Sequence, residues 1–229
     1  MKTRSVTFLC VGLTMALLVG AAAAYAQPAK PDKEGWISLF NGTDLSGWHI
    51  RMPTAENSWS VVDGVLSNKG HGVDLVTDEK FMDMELHVEF KYPRGSNSGV
   101  YLQGRYEIQI SDSAGGEPKS SGCGGLYRKV TPKENAAKPA DEWQSFDVKF
   151  WSAQLGPDGT KVKNARITVI HNDKLIIENA EIDGPTGGQL DKDDGKPGSL
   201  MLQGNHGAID FRNIKWRPLK AAGGKAEGA

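Results

Sequence analysis

Hydrophobic and polar residues alternate along most of this chain, in short runs that turn residues separate. In the run FMDMELHVEFKY every second side chain is apolar, namely Met82, Met84, Leu86, Val88 and Phe90. A period of two is typical of a strand that buries one face. About ten such runs occur, and signals for helices are few. We therefore predict an all-β fold, a sandwich of two packed antiparallel sheets.

Two dipeptides predict tight hairpins between neighbouring strands. Asp63-Gly64 lies between two short apolar runs, and Asn172-Asp173 joins two others. These residue types tolerate the positive φ angles of two-residue hairpin turns. Two longer connections, 111–139 and 184–198, are rich in turn-forming and charged residues, which is typical of functional or mobile loops. A functional role is favoured for the first, because it directly follows the strand described next.

The segment Gly104–Asp112, with the sequence GRYEIQISD, carries polar residues in an informative pattern. Ile108 and Ile110 face one side of the predicted strand, while Glu107 and Gln109 face the other. A second carboxylate, that of the terminal aspartate, follows. A solvated outer face would explain this arrangement, and so would the floor of a sugar-binding groove.

The first residues have the pattern of a secretory signal peptide. Lys2 and Arg4 precede an apolar run over 6–24, and Ala24-Tyr25-Ala26 is a small-residue cleavage site. We predict a signal peptide over residues 1–26 and a secreted or periplasmic protein. The alternative is a retained membrane anchor.

The remaining chain reads as one domain with short polar ends. Residues 27–34 form a predicted linker, 35–218 a single β-sandwich domain, and 219–229 a disordered tail. The formal net charge is −1, and loss of Lys2 and Arg4 makes it −3. This balance predicts neither binding to nucleic acid nor adhesion to anionic membranes. We also expect no membrane insertion after signal cleavage.

A single cysteine, Cys123, follows the predicted signal peptide, so the domain has no internal disulfide. It lies in the glycine-rich stretch 121–125, which predicts a flexible segment and does not favour a catalytic thiol.

Six segments resemble, in order, successive blocks of the 3-keto-disaccharide hydrolase domain family, which was long catalogued as a domain of unknown function. The segments are GWISLFNGTDLSGW from Gly35, WSVVDGVL, NSGVYLQGRYEIQISDS, GLYRKVTP, DEWQSFDVKF and LQGNHGAIDFRNI. The resemblance covers about Gly35 to Pro218. It implies a two-sheet antiparallel jelly roll of the concanavalin A-like lectin/glucanase type, a secreted or periplasmic location, and action on glycosides oxidised at C3.

Laminarinase-type β-glucanases share this fold class and carry the motif E-x-D-x-x-E on a concave strand. Here Glu107, Gln109 and Asp112 give E-x-Q-x-x-D at the same spacing. Gln109 cannot ionise, and Asp112 joins the same face only if a bulge intervenes. An ordinary retaining mechanism requires two carboxyl groups about 5–5.5 Å apart. A β-glucanase is therefore the alternative enzyme.

A keto-sugar calls for different chemistry. A ketone at C3 acidifies the C2 proton, so a base can remove it, the enolate can expel the C1 leaving group, and water can then add. This route requires a base, an electrophile near the C3 oxygen and an acid for the leaving group. Glu107 is a candidate base or metal ligand. Gln109 is a candidate partner for a sugar hydroxyl or a hard cation.

His206 and Arg212 are further candidates. His206 lies in a predicted turn, where the resemblance implies a similar His-Gly, and an imidazole suits proton transfer. Its alternative is a structural or solvated role. Arg212 is expected to line the site, with an ion pair as the alternative. We expect both side chains to lie within reach of Glu107 and Gln109.

Four residues are candidate substrate contacts. Asn97 and Tyr101 lie on the strand before GRYEIQISD, while Tyr127 and Arg128 lie in the loop after it and could cover a groove. The ring of Tyr101 would stack on a sugar if it lay on the concave face, but packing is the commoner role of such a tyrosine.

No cofactor follows from the sequence, and a divalent cation stays an open question. The run 191–194 contains Asp191, Asp193 and Asp194 but lacks the glycine and distal glutamate of a calcium loop. Two classes of function remain, a hydrolase of 3-keto-glycosides and a non-catalytic carbohydrate-binding module. Glu107 and Asp112 favour the enzyme, because a binding face needs amides and aromatics rather than ionisable groups.

Overall fold

The computed structural model describes residues 30–219, and all the regular secondary structure of that part is β-strand. The strands are Ile37–Ser38 (β1), Trp48–Ile50 (β2), Trp59–Val62 (β3), Val65–Asn68 (β4), Leu75–Phe81 (β5), Met84–Lys91 (β6), Asn97–Leu102 (β7), Tyr106–Ser111 (β8), Gln144–Trp151 (β9), Gln154–Leu155 (β10), Lys161–Lys163 (β11), Ala165–His171 (β12), Lys174–Ile182 (β13), Gly198–Leu202 (β14) and Ile209–Pro218 (β15).

The strands form two main antiparallel sheets and a small hairpin. The larger sheet has the order β13-β12-β9-β6-β15-β4-β3, with β1 also pairing with β15. The smaller sheet has the order β2-β5-β14-β7-β8, and β10 pairs with β11. The chain crosses repeatedly between the two main sheets, from β4 to β5, β5 to β6 and β6 to β7. The prediction of an all-β, two-sheet antiparallel jelly-roll sandwich is confirmed.

The hydrophobic core lies between the two main sheets. The inward residues of β6 are fully buried, and they belong to the same cluster as inward residues of β7, β8, β9 and β14. Ile108 and Ile110 of β8 are both in this core, while Glu107 and Gln109 lie on the opposite face, as the alternation predicts. One face of the smaller sheet is thus free for other roles.

Both predicted hairpins are present. Asp63 and Gly64 have φ angles of 51° and 77° between β3 and β4. Asn172 and Asp173 have φ angles of 49° and 64° between β12 and β13. Positive φ at both central positions matches the right-handed twist of the flanking strands.

The sequence pattern missed β5 and four short strands, β1, β2, β10 and β11. In β5 three buried residues are followed by three exposed ones, so the run shows no alternation. The expected inward position of Met82 is wrong. It precedes β6 and is 40% exposed, because the chain turns there before the strand begins.

The predicted signal peptide over 1–26 lies outside the described residues, as do 27–29 of the predicted linker and 220–229 of the predicted tail. Between residues 30 and 219, no helix is long and apolar enough to span a membrane.

The segment 122–126 covers the free edge of β8. Gln109 N donates to Gly125 O over 2.9 Å, and Gly124 N donates to Gln109 O over 2.8 Å. Cys123, expected in a flexible stretch, is instead buried here, and burial raises the pKa of its thiol to about 12. A thiol with this pKa is not a nucleophile at neutral pH.

Candidate active site

Five side chains form a row across the outer face of the smaller sheet, one from each strand. The registers of the strand pairs place His49 opposite Val76, Val76 opposite Met201, Met201 opposite Tyr101, and Tyr101 opposite Glu107. The row has an imidazole at one end and a carboxylate at the other. Ionisable side chains therefore lie on this outer face, away from the core.

Glu107 lies beneath the loop over 183–197, here called the roof loop, which joins β13 to β14. Glu107 is only 2% exposed. Glu107 N donates to Thr186 Oγ1 of the roof loop over 2.9 Å, and Tyr127 N donates to Glu107 O over 3.0 Å. The carboxylate lies over Gly99 of β7, where an added Cβ would be 2.5 Å from Oε1. The absence of a side chain at Gly99 therefore makes room for the carboxylate.

The surroundings of Glu107 favour its protonated form. The pKa of this carboxyl is raised from 4.5 to about 7, mainly by burial. A hydrogen bond with Tyr101 opposes the rise, and the negative charge of Asp74 adds to it. A carboxyl group with a pKa near neutrality can both accept and donate a proton at physiological pH. This property makes Glu107 the strongest acid–base candidate among the described residues.

Tyr101 and Gln203 complete a polar cluster around Glu107. Tyr101 Oη donates to Gly187 O of the roof loop over 3.0 Å, and Gln203 Nε2 donates to Tyr101 Oη over 3.3 Å. Gln203 Oε1 is buried and has no hydrogen-bond partner among residues 30–219. A buried amide oxygen without a partner carries an energetic penalty that a ligand hydroxyl would relieve.

Asp74 and Arg51 connect this cluster to the roof loop. Gly204 N donates to Asp74 Oδ1 over 3.1 Å, and Arg51 Nη1 donates to Asp74 Oδ2 over 3.1 Å. The same guanidinium donates to Gly188 O over 3.0 Å and to Gln189 O over 2.9 Å. Arg51 thus holds the roof loop against the sheet.

A buried arginine anchors the other part of the roof loop. Arg105 is 1% exposed, and its Nε donates to Asp191 Oδ1 over 2.6 Å while its Nη1 donates to Lys196 O over 2.7 Å. Tyr106 Oη also donates to Asp194 Oδ1. Asp191 and Asp194 therefore serve as anchors of the loop. Within residues 30–219 no group of three or more His, Cys, Asp or Glu side chains is placed to hold a metal ion.

The structure brings together several residues that the sequence suggested. Gln109 is 2% exposed and lies on the same face as Glu107. The ring of Tyr127 lies beside the roof loop, since a Cβ added at Gly187 would be 3.8 Å from its Cε1. The exposed Arg128 lies over the same ring at 5.1 Å.

Tyr101 and Asn97 occupy different surroundings on β7. Tyr101 is 1% exposed and packs with Val76, Met201 and Leu190, so it fills the packing role rather than offering a free ring face for stacking. Asn97 is half-buried at the start of β7, opposite Ser111.

Asp112, the third residue of the E-x-Q-x-x-D motif, does not join Glu107 on the same face. The pairing of β7 with β8 is regular from Asn97 to Leu102, so the bulge that would turn Asp112 to the face of Glu107 is absent there. Asp112 lies beyond β8, is exposed, and its Oδ2 accepts a 2.8 Å hydrogen bond from Gly95 N. It closes a turn and leaves the glucanase motif incomplete.

The expected reach of Arg212 to Glu107 is also wrong. Arg212 lies on β15 of the larger sheet, where its Nε donates to Glu89 Oε2 over 2.6 Å and its guanidinium lies 4.0 Å from the ring centre of Trp143. It lines a separate cleft of about 260 Å³. Arg212 points outward from that sheet and forms an ion pair with Glu89, which is the alternative that the sequence left open.

His206 is exposed in the connection between β14 and β15. Its Nδ1 hydrogen-bonds the neighbouring Asn205 side chain. Within residues 30–219 the imidazole of His206 makes no hydrogen bond with Glu107 or Gln109. A role of His206 in proton transfer stays a prediction.

Sequence reasoning missed four residues of the site: Arg51, Asp74, Arg105 and Gln203. Asp74 directly precedes β5, the strand without alternation. Arg105 belongs to the GRYEIQISD segment, but a pattern of faces does not reveal a buried arginine. The LQG preceding Asn205 is the one signal that could have pointed to Gln203, since it lies in a segment that carries the family resemblance.

Comparisons with known proteins agree with this geometry. Residues 35–217 match the model of the 3-keto-alpha-glucoside-1,2-lyase-like domain. A 3-keto-disaccharide hydrolase of Bacteroides thetaiotaomicron is 29% identical over 188 residues, which are 64% of this chain and 59% of the relative. The chain therefore spans about three fifths of the length of the curated relative that it matches.

Two solved structures from Parabacteroides distasonis, both of proteins assigned as glycosyl hydrolases, share the fold. One is 29% identical with a TM-score of 0.70, and the match covers 84% of this chain and 90% of that one. The other is 26% identical with a TM-score of 0.59, over 80% of this chain and 99% of that one. Because the family model matches residues 35–217, most of the sequence, the chain belongs to the family of 3-keto-α-glucoside-1,2-lyase-like domains.

Proposed function

We propose that this protein is a hydrolase that cleaves the glycosidic bond of glycosides oxidised to a ketone at C3. The family description and the name of the curated relative support this class of substrate. The observation that carries the proposal is Glu107, a buried carboxyl whose pKa is raised to about 7 by burial, on the face of the smaller sheet that points away from the core.

The reaction proceeds by elimination and hydration. The C3 ketone acidifies the C2 proton, and the carboxylate of Glu107 removes it. The electrons of the C2–H bond form the enolate, the C1–O bond then breaks, and the leaving sugar takes a proton. The departure of the leaving sugar re-forms the ketone, now conjugated with a C1=C2 double bond. Water then adds its hydroxyl at C1 and a proton at C2, which gives the free 3-keto sugar. The words "1,2-lyase" in the family description agree with bond cleavage across C1 and C2.

The other residues of the cluster orient the substrate. Gln203 Oε1, which lacks a partner among the described residues, can accept a hydrogen bond from a sugar hydroxyl, and Gln109 on the same strand as Glu107 can bind another. Tyr101 Oη already donates to Gly187 O over 3.0 Å, so the tyrosine positions the roof loop rather than the substrate. Protonation of the leaving group requires a further acid, for which His206 stays our prediction.

The two alternatives raised by the sequence have less support. A retaining β-glucanase requires a second carboxylate across the scissile bond, and Asp112 does not face Glu107. A binding module has no use for a buried carboxyl whose pKa lies near neutrality. We also propose that the reaction takes place outside the cytoplasm, because residues 1–26 have the pattern of a signal peptide.

The test is turnover of 3-keto-disaccharides by the full chain in heavy water, with and without chelator. We expect cleavage of the ketones, none of the parent disaccharides, and deuterium at C2 of the product. The product incubated alone in heavy water controls for spontaneous exchange. Cleavage of unoxidised β-glucan, or a product without deuterium at C2, would contradict the elimination route. Loss of turnover with chelator would assign a role to a divalent cation.

A further inference from the structure

Glu107 and the polar side chains around it are closed off from solvent. Glu107, Tyr101 and Gln203 are 2%, 1% and 8% exposed. A base must come within about 3 Å of the proton that it removes, so a sugar ring does not reach the carboxylate while the cover of this cluster stays in place. Part of the cover therefore has to move before the proposed reaction can begin.

The middle of the roof loop, residues 187–189, lies over this cluster and is here called the tip. A Cβ added at Gly188 would be 2.6 Å from Tyr101 Oη, and Tyr101 hydrogen-bonds Glu107. The tip thus packs directly on the hydroxyl group beside the carboxyl group of Glu107, and its displacement would uncover both.

Three hydrogen bonds hold the tip within the part of the chain that the structure describes, and a side chain donates each of them. Tyr101 Oη donates to Gly187 O over 3.0 Å. Arg51 donates from Nη1 to Gly188 O over 3.0 Å and from Nη2 to Gln189 O over 2.9 Å. The tip can therefore move away without breaking a backbone–backbone hydrogen bond of its own.

Backbone hydrogen bonds fix both ends of the tip. Thr186 N donates to Arg105 O and Leu190 N donates to Gly104 O, each over 2.8 Å. Three residues span at most about 10 Å between such fixed ends, which is wide enough to admit one sugar ring. Opening therefore concerns the tip alone and leaves the rest of the roof loop docked on the sheet.

The neighbouring parts of the cover are held more firmly than the tip. Arg105, which anchors residues 191–197, is 1% exposed, whereas the side chain of Arg51 is 33% exposed. The segment 122–126 pairs its backbone with that of Gln109. Water competes for the hydrogen bonds of an exposed donor but not for those of a buried one, so the tip is the part that opens at the lowest cost in free energy.

Arg51 stays in place when the tip moves away. Its Nη1 also donates to Asp74 Oδ2 over 3.1 Å, and Asp74 Oδ1 accepts a hydrogen bond from Gly204 N over 3.1 Å. The guanidinium then presents at the opening the N–H groups that had bound the carbonyl oxygens of the tip. Oxygen atoms of a sugar can accept these hydrogen bonds instead, so an entering substrate stabilises the open state.

We propose that the tip opens to admit the substrate and that Arg51 controls this opening, by binding the tip in the closed state and the entering sugar in the open state. The inference rests on the proposed function, in which Glu107 is the base. The closed tip keeps water away from Glu107, and the open tip lets a sugar reach it.

Thiol labelling tests the opening without any turnover. In the full chain with Glu107→Cys, a maleimide reacts at position 107 only while the tip is open, and peptide mass mapping assigns the label. Gly188→Ala, added to this chain, strains the closed tip because Gly188 has a φ of 79° and the new Cβ meets Tyr101 Oη. We expect labelling about 5- to 30-fold faster. Gly187→Ala, whose Cβ makes an ordinary contact of 3.8 Å, is the matched control.

Arg51→Lys is the second variant, and it decides if Gly188→Ala does not fold. One ammonium cannot reproduce the fork that holds two carbonyl oxygens, so labelling at position 107 should be about 2- to 10-fold faster. Cys123 is buried in the core and reports global unfolding in the same chain. Rates at position 107 that are the same in Gly187→Ala and in both other variants, or that only follow the rate at Cys123, would overturn the inference.

Turnover of a 3-keto-disaccharide, with Glu107 intact, separates this inference from the proposed function. Gly188→Ala should lower KM, because more molecules are open and Arg51 keeps its donors. Arg51→Lys should not lower KM although its tip opens more often, and a lower KM in both variants would contradict binding of the sugar by Arg51. Faster labelling without turnover by the wild type supports the opening and removes the proposed function. Turnover with labelling rates that do not differ leaves the proposed function standing and overturns the opening.

Discussion

At the scale of the residue, the reactivity of Glu107 comes from the groups around it. Burial disfavours its charged form, and so does the nearby Asp74, whose own charge is compensated by Arg51 over 3.1 Å. A hydrogen bond with Tyr101 lowers the pKa of Glu107 and offsets part of these two effects. These three neighbours come from β2, β5 and β7 or their ends, so the pKa is a property of the assembled sheet.

The pH dependence of catalysis tests the role of Glu107 as a base. Only the carboxylate can remove the C2 proton, so kcat/KM should rise with pH through about 7, the pKa of Glu107. Glu107→Gln should lower kcat by about 10²–10⁴-fold and leave KM within a few fold. Glu89→Gln, which alters a carboxylate paired with Arg212 on the other sheet, is the control. A profile that is flat between pH 5 and 9, or a small loss in Glu107→Gln, would assign the base to another residue.

The sequence could predict the local part of this site but not the part assembled from distant strands. Alternation placed Glu107 and Gln109 on one face, because the period of a strand fixes it. Asp74 and Gln203 meet Tyr101 and Glu107 only through strand order, which a single sequence does not specify. The position of Asp112 depended on whether β8 contains a bulge, which a residue pattern does not reveal, and the pairing of β7 with β8 is regular.

At the scale of the element, the roof loop depends on two arginines with different surroundings. Arg51 is partly exposed and binds the carbonyl oxygens of Gly188 and Gln189, whereas Arg105 is buried and binds Asp191 and Lys196. Leu190 N also donates to Gly104 O over 2.8 Å. The loop is therefore an ordered cover of the site, although its composition alone was compatible with a mobile segment.

Arg105→Lys tests this anchoring. A lysine can reach one acceptor but cannot reproduce the fork of a guanidinium, so a buried carbonyl or carboxylate loses its partner. We expect a loss of about 1–3 kcal/mol in the free energy of unfolding and faster hydrogen exchange in the roof loop than in β8. Arg166→Lys, whose exposed pair with Glu181 should contribute little, is the matched control. Equal effects of the two changes, or exchange that is unaltered in the roof loop, would show that Arg105 does not hold it.

At the scale of the whole molecule, one core joins both main sheets, so the site exists only while the sandwich is intact. Patterning predicted this architecture because most long strands bury one face. It did not reveal β5, whose buried residues are consecutive, nor the imidazole of His171, which is fully buried against Phe90 and Phe146. Burial lowers the pKa of His171 to about 3.

Glu107 and His171 should therefore affect the stability of the fold in opposite directions as pH changes. Between pH 4.5 and about 7 the carboxyl of Glu107 is protonated in the folded state and ionised in the unfolded chain. The free energy of unfolding therefore falls as pH rises through that window, by on the order of 3 kcal/mol. Below pH 6.5 the imidazole of His171 is protonated in the unfolded chain but stays neutral in the folded state. The free energy of unfolding therefore falls as pH decreases from 6.5 towards 3.

Chemical denaturation of the wild type, Glu107→Gln and His171→Gln at intervals from pH 4.5 to 8 separates the two effects. Glu107→Gln should match the wild type at pH 4.5 and exceed its stability at pH 8, because the amide never ionises. His171→Gln loses packing at every pH, but its deficit relative to the wild type should shrink below pH 6.5, where the buried imidazole no longer favours folding. Differences from the wild type are compared at each pH, since ion-paired carboxylates contribute equally to all three proteins and cancel. A Glu107→Gln difference that stays constant from pH 4.5 to 8 would show that Glu107 titrates like an exposed carboxyl group, and the base in the proposed mechanism would then have to be sought elsewhere.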